Sequence, residues 1–306
     1  MGFLKNLQNG SNWNIGFCDM TPEELVAEKK LKPIQWMKHP YKDRFFADPF
    51  IYKVTEQEII VFVEEYVFDN PPGLIVELVV DRKSKQLIRR YELLRLPTHL
   101  SYPAIIREGG ETYVYPENGN SGELNIYRYD EVQHKLVEPV CILNEAVTDS
   151  TMRRLTNGQF LLVATKYPDN QENAYAYESS SVKGPFEPIG SGPFQTSRAC
   201  SRPAGDFFEA FGQLYRPAQN CVGSYGASTN VLGFDASNFK EKEAFELKPQ
   251  ARSYPLGLHT INFYEGLCVV DGLGYFYSIL GQIYASTYIE VARRFAKRII
   301  RKWKSK

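Results

Sequence analysis

Four acidic side chains of this sequence stand where acid–base chemistry could be done. They lie at the start or the end of short apolar segments typical of β-strands: Asp48, Glu64, Glu117 and Asp149. Transfer or hydrolysis of a glycosyl group needs such carboxylates, because one acts as base or nucleophile while another donates a proton or stabilises an oxocarbenium ion. Their surroundings must also separate their pKa values. We expect Asp48 to be the base or nucleophile, and Glu117 or Asp149 the acid or stabiliser.

Cationic and amide side chains gather later in the chain. They are Arg202, Arg216, Gln219, Asn220 and His259. Arginine binds phosphate oxygens in bidentate geometry, so acids on one side and these groups on the other would suit a sugar attached to a phosphate. For Arg216 a structural salt bridge is an open alternative. Glu64, His99 and Tyr102 complete the expected binding set, and plain hydrogen-bonding roles remain open for His99 and His259.

A repeated phrase positions these residues, since it recurs five times with starts roughly fifty residues apart. Each copy opens with a polar residue and a short strand, and a turn then leads to a second apolar strand. The openings are 47–51, 101–105, 149–152, 201–205 and 258–262, and the second strands are 59–64, 113–117, 160–164, 214–218 and 267–271. No single unit could bury its apolar face alone. The repeat therefore predicts an all-β fold, a five-bladed β-propeller.

The propeller geometry predicts where the ionisable residues meet. The inner strand of every blade points its first residues at the central axis, so the residues at the five openings should converge. These are Asp48, Tyr102, Asp149, Arg202 and His259. The alternative is that acids and serines at strand starts only satisfy turn amides. Period-two alternation turns one of Glu64 and Glu65 inward and the other outward, and we take Glu64 to face the axis.

The ends of the chain lie outside this repeat. We predict an N-terminal extension over residues 1–44, the propeller over 45–277, and a basic amphipathic C-terminal helix over 278–306. A short helix from Thr21 to Lys30 is indicated inside the extension, because an N-cap hydroxyl, a first-turn proline and the capping-box acid Glu24 follow in order.

The C-terminal segment carries apolar residues at three- and four-residue steps, ending at Trp303, with a strongly basic opposite face. This pattern is typical of a helix lying on an anionic membrane surface. Docking on the flank of the propeller, with the basic face in water, is the alternative. The segment is too charged to span a bilayer.

Composition narrows the class of protein. The 306 residues include 36 basic and 36 acidic side chains, and this balance speaks against a general nucleic-acid binder. Five scattered cysteines do not indicate a disulfide framework. The sequence holds no metal, dinucleotide or phosphate-loop motif, so we expect neither metal nor cofactor. Since the first residues form no signal peptide or myristoylation pattern, we expect a cytoplasmic protein, peripheral on the inner face of the cell membrane.

Several longer phrases resemble one known family. They are Ala-Asp-Pro-Phe (47–50), His-Leu-Ser-Tyr-Pro (99–103), Pro-Glu (116–117), Gly-Glu-Leu-Asn-Ile-Tyr-Arg (122–128), Asp-Ser (149–150), Ser-Arg-Pro (201–203), Leu-Tyr-Arg-Pro-Ala-Gln-Asn-Cys (214–221) and Tyr-Gly (225–226). In order and spacing they resemble the N-terminal domain of glucosamine inositolphosphorylceramide transferases. That domain is similar to the five-bladed propellers of glycoside hydrolase family 43 and its relatives.

The resemblance implies a carbohydrate-directed axial pocket. In the hydrolase relatives the first-blade aspartate of Asp-Pro is the general base, which corresponds to Asp48. Their second acid opens the second blade, where this chain has Ser101-Tyr102-Pro103 instead, and Glu117 and Asp149 replace the remaining acid by position only. Asn220 stands where the transferase-like group is expected to have aspartate. The plant enzymes carry a separate glycosyltransferase domain outside the matched stretch.

Three functions are compatible with these features. The first is a glycosyltransferase of surface-polysaccharide or glycolipid assembly, with a sugar or glycan substrate that could be nucleotide- or lipid-linked. The second is a glycoside hydrolase of the arabinanase or xylosidase type. The third is a non-catalytic glycan-binding propeller.

Overall fold

Five antiparallel sheets, four with four strands and one with five, form the computed structural model, which describes residues 11–275. In chain order the elements are β1 (Ser11–Asp19), α1 (Pro22–Glu28), β2 (Gln35–Trp36), β3 (Arg44–Val54), β4 (Glu58–Val67), β5 (Leu74–Asp81), β6 (Leu87–Leu94), β7 (Ser101–Glu108), β8 (Glu111–Glu117), β9 (Leu124–Asp130), β10 (Lys135–Leu143), β11 (Val147–Arg154), β12 (Phe160–Lys166), β13 (Asn173–Ser179), β14 (Glu187–Pro188), β15 (Gln195–Thr196), β16 (Phe208–Ala210), β17 (Gln213–Asn220), β18 (Ser228–Asp235), β19 (Lys240–Leu247), β20 (Ile261–Tyr264) and β21 (Leu267–Tyr275). A 3₁₀ turn spans Gly119–Ser121.

The sheets form the predicted five-bladed propeller. Blades 1 to 4 take their strands in chain order: β3–β6, β7–β10, β11–β14 and β16–β19, with β15 paired to β13 in blade 3. Every second strand predicted from the repeat lies within the observed second strand of its blade, at β4, β8, β12, β17 and β21. The all-β propeller is therefore confirmed.

The fifth blade combines both ends of the described chain, in the order β20, β21, β1, β2. Strand β1 pairs with β21 from Ser11 opposite Tyr275 to Asp19 opposite Leu267. We predicted that residues 1–44 form an extension outside the ring. For residues 11–19 and 35–36 this prediction is wrong, because they form strands β1 and β2 of blade 5. The alternation of Ile15 and Phe17, both fully buried, provides the apolar face that this pairing requires. The N-terminal strand thus closes the ring.

The predicted short helix is confirmed as α1. Thr21 accepts a hydrogen bond from the Glu24 amide, and the Glu24 side chain accepts one from the Thr21 amide, which is a complete capping box. Leu25 is the buried residue of the helix and packs with Phe208 and Val231 of blade 4. The predicted helix over 278–306 lies outside the described residues, as do 276 and 277 of the predicted propeller range. None of the helical segments within 11–275 has the length and apolar character that a bilayer crossing requires.

The core lies between neighbouring blades. One cluster joins blades 1, 2 and 3 around Phe62, Tyr115 and Leu162, and a second joins blades 5 and 1 around Phe17 and Val61. Apolar side chains on both faces of every sheet explain why the second strands read as continuous apolar runs. Burial on both faces fixes each blade against the next, and thereby the geometry at the axis.

Candidate active site at the propeller axis

Three inner strands carry the same irregularity at their openings. Strand pairing shifts by a β-bulge between Ala47 and Phe50 in blade 1, and blades 2 and 3 have the equivalent shift. Within each bulge one non-glycine residue adopts the left-handed region: Asp48 (φ 51°), Tyr102 (φ 44°) and Asp149 (φ 46°). Such residues cost about 1–3 kcal/mol and gather at functional sites. The bulges change the direction of these side chains. The sequence repeat predicted the strands but not the bulges.

Asp271 anchors the site, although sequence reasoning missed it as a functional residue. Its fully buried carboxylate accepts hydrogen bonds from the amides of Asp48 at 3.1 Å, His259 at 3.0 Å and Thr260 at 3.0 Å. The sequence repeat could nevertheless have identified Asp271 as a site residue. Asp271 ends the predicted second strand of its unit, as Glu64 and Glu117 do in theirs, and all three lie beside an inner-strand opening.

His259 lies between two aspartates. Its Nδ1 is 2.6 Å from Asp271 Oδ2, and its Nε2 is 3.7 Å from Asp48 Oδ1. Burial lowers the pKa of His259, but the charges of Asp271 and then Asp48 outweigh burial and raise it above its ordinary value. The Trp13 ring stacks on the imidazole with centroids 3.9 Å apart and an interplanar angle of 11°. The structure therefore holds the His259 ring in a fixed orientation beside Asp48.

Asp48 is buried and hydrogen-bonded on both oxygens. Oδ1 accepts from the Thr260 hydroxyl at 2.9 Å, and Oδ2 accepts from the Tyr102 amide at 3.2 Å. Burial raises the pKa of Asp48 to about 6, while the neighbouring His259 opposes this rise and the carboxylates of Asp149 and Asp271 add to it. A carboxyl with this pKa can accept or release a proton near neutral pH.

Blades 2, 3 and 4 contribute a second group of charged residues. Arg202 donates from Nε to Asp149, and its guanidinium is also 3.5 Å from Glu117 Oε2. The Gln219 amide donates to the same Asp149 oxygen at 2.6 Å. Burial raises the pKa of Glu117 well above its usual range, and the adjacent Asp149 raises it further although Arg202 opposes this. Glu117, with its raised pKa, thus lies beside the paired side chains of Arg202 and Asp149.

Glu64 and His99 form a third group where blades 1 and 2 meet. The Glu64 carboxylate is 3.4 Å from His99 Nε2, and His99 Nδ1 accepts from the Gly73 amide at 3.0 Å. Burial, followed by the charges of Asp48 and Glu117, raises the pKa of Glu64 well above its usual range. Glu65 faces the other way and pairs with Arg44 and Arg90, as strand alternation predicted. The His99 side chain is 36% exposed and connects this group to solvent.

Tyr102 closes the axis below these groups. Its fully buried hydroxyl lies 3.1 Å from Thr151 Oγ1 of blade 3 and accepts from the Gly205 amide of blade 4 at 2.6 Å. Because these bonds cross from blade 2 to blades 3 and 4, the ring forms a floor across the axis. The hydroxyl is fully engaged, so Tyr102, predicted to bind substrate, is placed beneath the site.

Arg216 and Asn220 do not reach the axis, contrary to the predicted binding set. Arg216 is 0% exposed and donates to Glu241 and to the carbonyls of Cys200 and Ser201, all within or beside blade 4. Asn220 donates to Glu246 on β19 at 3.2 Å. The carboxylates that hold these side chains, Glu241 and Glu246, lie on the outer strand β19 of the same blade. A buried, fully paired guanidinium cannot bind a phosphate. Arg216 therefore forms the structural salt bridge that was the alternative to phosphate binding.

Tyr225 is a further residue that sequence reasoning had not assigned to the site. It lies in the loop between β17 and β18 and is 41% exposed. Its ring meets the edge of His259 at 5.4 Å and lies 5.2 Å from the Arg202 guanidinium. An exposed aromatic face above two cations is a suitable platform for the apolar face of a sugar ring.

The site also contains one group of donors at the spacing of a cation ligand set. Among residues 11–275, donor atoms of Asp48, His259 and Asp271 lie within 4.8 Å of one another. Each of these side chains already has a hydrogen-bond or ion-pair partner in the site, as described above. Nothing in the donor set therefore requires an ion, and no metal had been expected from the sequence.

Fold and site together define a five-bladed propeller with a buried carboxylate cluster at its axis. The family model described as glucosamine inositolphosphorylceramide transferase 1, N-terminal, matches residues 25–253, and the chain belongs to this family.

Individual relatives agree with this assignment. Glucosamine inositolphosphorylceramide transferase 1 of Oryza sativa subsp. japonica is 27% identical over 201 residues, which are 62% of this chain and 26% of that protein. The protein of the same name from Arabidopsis thaliana is 26% identical over 213 residues, covering 66% of this chain and 27% of that protein. The chain thus spans about a quarter of the length of these curated relatives.

Solved structures share the fold at low identity. Zg3597, a family 117 glycoside hydrolase from Zobellia galactanivorans, superposes with a TM-score of 0.54 at 10% identity over 86% of this chain and 91% of that one. The catalytic domain of the Coprinopsis cinerea GH62 α-L-arabinofuranosidase superposes with a TM-score of 0.53 at 10% identity over 75% of this chain and 90% of that one. These likenesses establish the propeller architecture.

Proposed function

We propose that this chain is a carbohydrate-active enzyme that transfers a glycosyl group in the assembly of a surface polysaccharide or glycolipid. The proposal is supported by the transferase names of its sequence relatives and by the chemistry of the axial cluster. A sugar or glycan is the substrate class that both suggest.

The observation that carries the proposal is the separation of protonation states at the axis. Burial raises the pKa values of Glu64 and Glu117 well above their usual range and that of Asp48 to about 6, and Asp48 lies beside His259, whose pKa the neighbouring aspartates raise. Acid–base catalysis of glycosyl transfer requires this combination, a carboxyl that donates a proton and a carboxylate that accepts one. A purely structural cluster gains no stability from carboxyls with raised pKa values.

The residues take distinct roles in this scheme. Asp48 is the base that deprotonates the acceptor hydroxyl, or the nucleophile. Glu117 donates a proton to the leaving oxygen, and Asp149, which is oriented by hydrogen bonds from Arg202 and Gln219, stabilises positive charge on the sugar. Glu64, His99 and Tyr225 bind sugar hydroxyls and the ring face, and His259 orients Asp48.

A glycoside hydrolase is the second candidate, because the same acid pair would serve attack by water. The propeller architecture shared with the family 117 and GH62 structures is the observation that favours it. A hydrolase would release free sugar from aryl glycosides without any nucleotide or lipid carrier, whereas a transferase would require the carrier-linked donor.

We also propose that the chain works at the cytoplasmic face of a membrane. The support is the sequence pattern of residues 278–306, in which a stripe of apolar residues faces a strongly basic side. Sedimentation of the full chain with anionic, but not with zwitterionic, vesicles would support this localisation. Equal recovery with both kinds of vesicle would refute it.

The decisive experiment compares Asp48→Asn with wild type. Purified chain is incubated with a panel of nucleotide-linked and lipid-linked sugars, and in parallel with aryl glycosides, and transferred and free sugar are quantified. Asp48→Asn should lower turnover by roughly 10²-fold or more, as expected for loss of a general base. Asp235→Asn, an isosteric change in an exposed turn of blade 4, is the matched control. Equal turnover by Asp48→Asn and wild type would refute the catalytic role.

A further inference from the structure

A second cavity lies at the rim of the propeller, where blade 5 meets blade 1. It encloses about 410 Å³, and its lining includes Asn14, Lys38, His39, Lys42, Tyr254 and Tyr275. We call it the rim pocket. Asn14 donates to the Tyr254 hydroxyl at 2.8 Å and to the Met37 carbonyl at 3.0 Å, so part of its wall is fixed by hydrogen bonds.

The rim pocket is cationic. The described residues that line it include two lysines and one histidine, and none of them carries a carboxylate. Across residues 11–275, neither Lys38 nor Lys42 forms an ion pair with an acidic side chain, whereas about half of the other lysines and arginines in this range do. His39 Nδ1 is buried and has no hydrogen-bond partner within the same part of the chain. Unpaired cations and an unsatisfied ring nitrogen in one cavity are features of an anion-binding site.

The rim pocket opens at the same end of blade 5 as the axial cluster. Strand β21 runs antiparallel to β20, so its end at Tyr275 lies beside the start of β20, where His259 stands. Strand β1 lies between the two sites, because successive side chains of a strand point to opposite faces of the sheet. The Trp13 ring stacks on His259, while its chain neighbours Asn12 and Asn14 line the rim pocket.

The two sites are electrically complementary. Among the described residues at the axis, the five carboxyl groups of Asp48, Glu64, Glu117, Asp149 and Asp271 outnumber the basic groups, Arg202 and His259, which are already paired with Asp149 and Asp271. Such a cluster suits a neutral sugar better than a phosphate. Arg216, the other candidate for phosphate binding, is buried in blade 4. If the donor sugar is linked to a phosphate, this phosphate therefore needs a binding site with basic residues outside the axis.

We propose that the rim pocket binds the phosphate or pyrophosphate group that carries the donor sugar, through Lys38, His39 and Lys42. This inference rests on the proposed transfer function, because it assigns the leaving group of that reaction. The same chemistry occurs in a nucleoside diphosphate and in a polyprenyl pyrophosphate. Strand β1, with Trp13 on its axial side and Asn12 and Asn14 on the side of the rim pocket, would separate the anion from the acids at the axis.

Binding of three probes to the full chain tests the assignment by calorimetry: inorganic pyrophosphate, uridine diphosphate, and farnesyl pyrophosphate in phosphatidylcholine vesicles. The variant Lys38→Gln with Lys42→Gln should weaken pyrophosphate binding by about tenfold or more, since it removes two charge-assisted hydrogen bonds to the anion. Lys30→Gln with Lys83→Gln is the matched control, because both lysines are exposed and lie outside the rim pocket. It should bind as wild type does.

The outcomes separate this inference from the proposed function. Binding that depends on Lys38 and Lys42 supports the rim pocket, and a clear preference for uridine diphosphate or for farnesyl pyrophosphate identifies the carrier. Asp48→Asn should keep pyrophosphate binding while losing turnover. Pyrophosphate binding that is absent, or equal in the Lys38→Gln/Lys42→Gln variant and its control, overturns the rim pocket whatever the turnover assays show. Lysine-dependent binding without any sugar turnover would instead uphold the rim pocket and reject the transfer function.

Discussion

The backbone amide of Asp48 donates a hydrogen bond to the carboxylate of Asp271 at 3.1 Å, although the two residues lie 223 positions apart in the chain. Asp271 stands on β21, directly opposite Ile15 of the N-terminal strand. The position of the proposed base therefore depends on closure of the ring by β1. Folding and catalysis share this contact, because the strand that completes blade 5 also fixes the residue that aims Asp48.

Replacing Asp271 should damage both stability and activity. In Asp271→Asn the buried ion pair with His259 is lost while the side-chain shape is kept, and breaking a buried pair in this way typically costs about 3–5 kcal/mol. We expect the free energy of unfolding, measured by urea denaturation, to fall by about that amount. The control Asp235→Asn should cost less than about 1 kcal/mol, since its hydrogen bonds are exposed. Equal midpoints for Asp271→Asn and wild type would contradict the anchoring role.

The free energy of unfolding should decrease as pH rises from about 4 to about 7. Burial raises the pKa of Asp48 to about 6 and that of Asp206 to about 7, so both carboxyls hold their protons more tightly in the folded protein than in the unfolded chain. The folded state then binds more protons across this window, and stability falls with increasing pH. The raised pKa of His259 acts in the same direction above about pH 6.5, whereas His39 and His99, whose pKa values burial lowers, oppose the trend below it.

Urea denaturation at successive pH values checks this trend. Asp206→Asn should flatten the slope of unfolding free energy against pH between about 4 and 7, because the proton that it removes no longer contributes. Asp235→Asn should leave the slope in this window unchanged, since the pKa of Asp235 is lowered by its Ser237 hydrogen bonds and it titrates at more acidic pH. A wild-type protein that becomes steadily more stable over the window would refute the raised values.

Turnover should follow a bell-shaped pH profile. The acidic limb should have a pKa near 6, because Asp48 must lose its proton to act as base. The alkaline limb reports Glu117, whose raised pKa keeps it protonated as the acid. In Glu117→Gln the alkaline limb should disappear while the acidic limb remains, as measured by initial rates across the pH range. If the pH profile of Glu117→Gln lost its acidic limb instead, Glu117 would be the base and Asp48 the acid.

Most of the fold could be predicted from the sequence repeat, because the pattern that defines each blade lies within one short stretch of the chain. Each opening and each second strand lies within one unit of roughly fifty residues, so apolar pattern and turn residues define it without knowledge of distant contacts. Closure of the ring is different. Strand β1 pairs with a segment near the other end of the described chain, and the alternation in 11–19 alone does not reveal its partner.

The difference between patterns within one repeat and pairings between distant segments also explains which site residues could be predicted from the sequence. Asp48, Asp149, Arg202 and His259 stand at the openings, and ring geometry brings them together. Arg216 sits on a second strand, and its orientation was set by Glu241 on the outer strand β19, a pairing that the repeat does not specify. Asp271 was accessible in principle, since aligning the ends of the second strands places it with Glu64 and Glu117.

Arg216 should prove structural rather than catalytic. Arg216→Met leaves Glu241 buried without its partner, and we expect a loss of about 3–5 kcal/mol in unfolding free energy. In Arg216→Met with Glu241→Leu, apolar packing replaces the pair, and much of this loss should be recovered. The KM for the donor should match wild type in the double variant. A raised KM in a stably folded double variant would return Arg216 to the binding site.

Tyr225 should contribute to sugar binding and little to stability. Its ring is 41% exposed and covers His259 and Arg202, so Tyr225→Ala removes a stacking surface without opening the core. We expect the KM or Kd for the sugar to rise about tenfold, in line with an aromatic contact worth roughly 0.5–1.5 kcal/mol beyond its buried area. Tyr225→Phe should retain most of the affinity, because the ring face rather than the hydroxyl makes the contact. Phe211→Ala changes an exposed aromatic residue in the turn between β16 and β17, at the opposite end of blade 4, and should bind sugar as wild type does. If Tyr225→Phe loses as much affinity as Tyr225→Ala, the hydroxyl and not the ring face recognises the sugar.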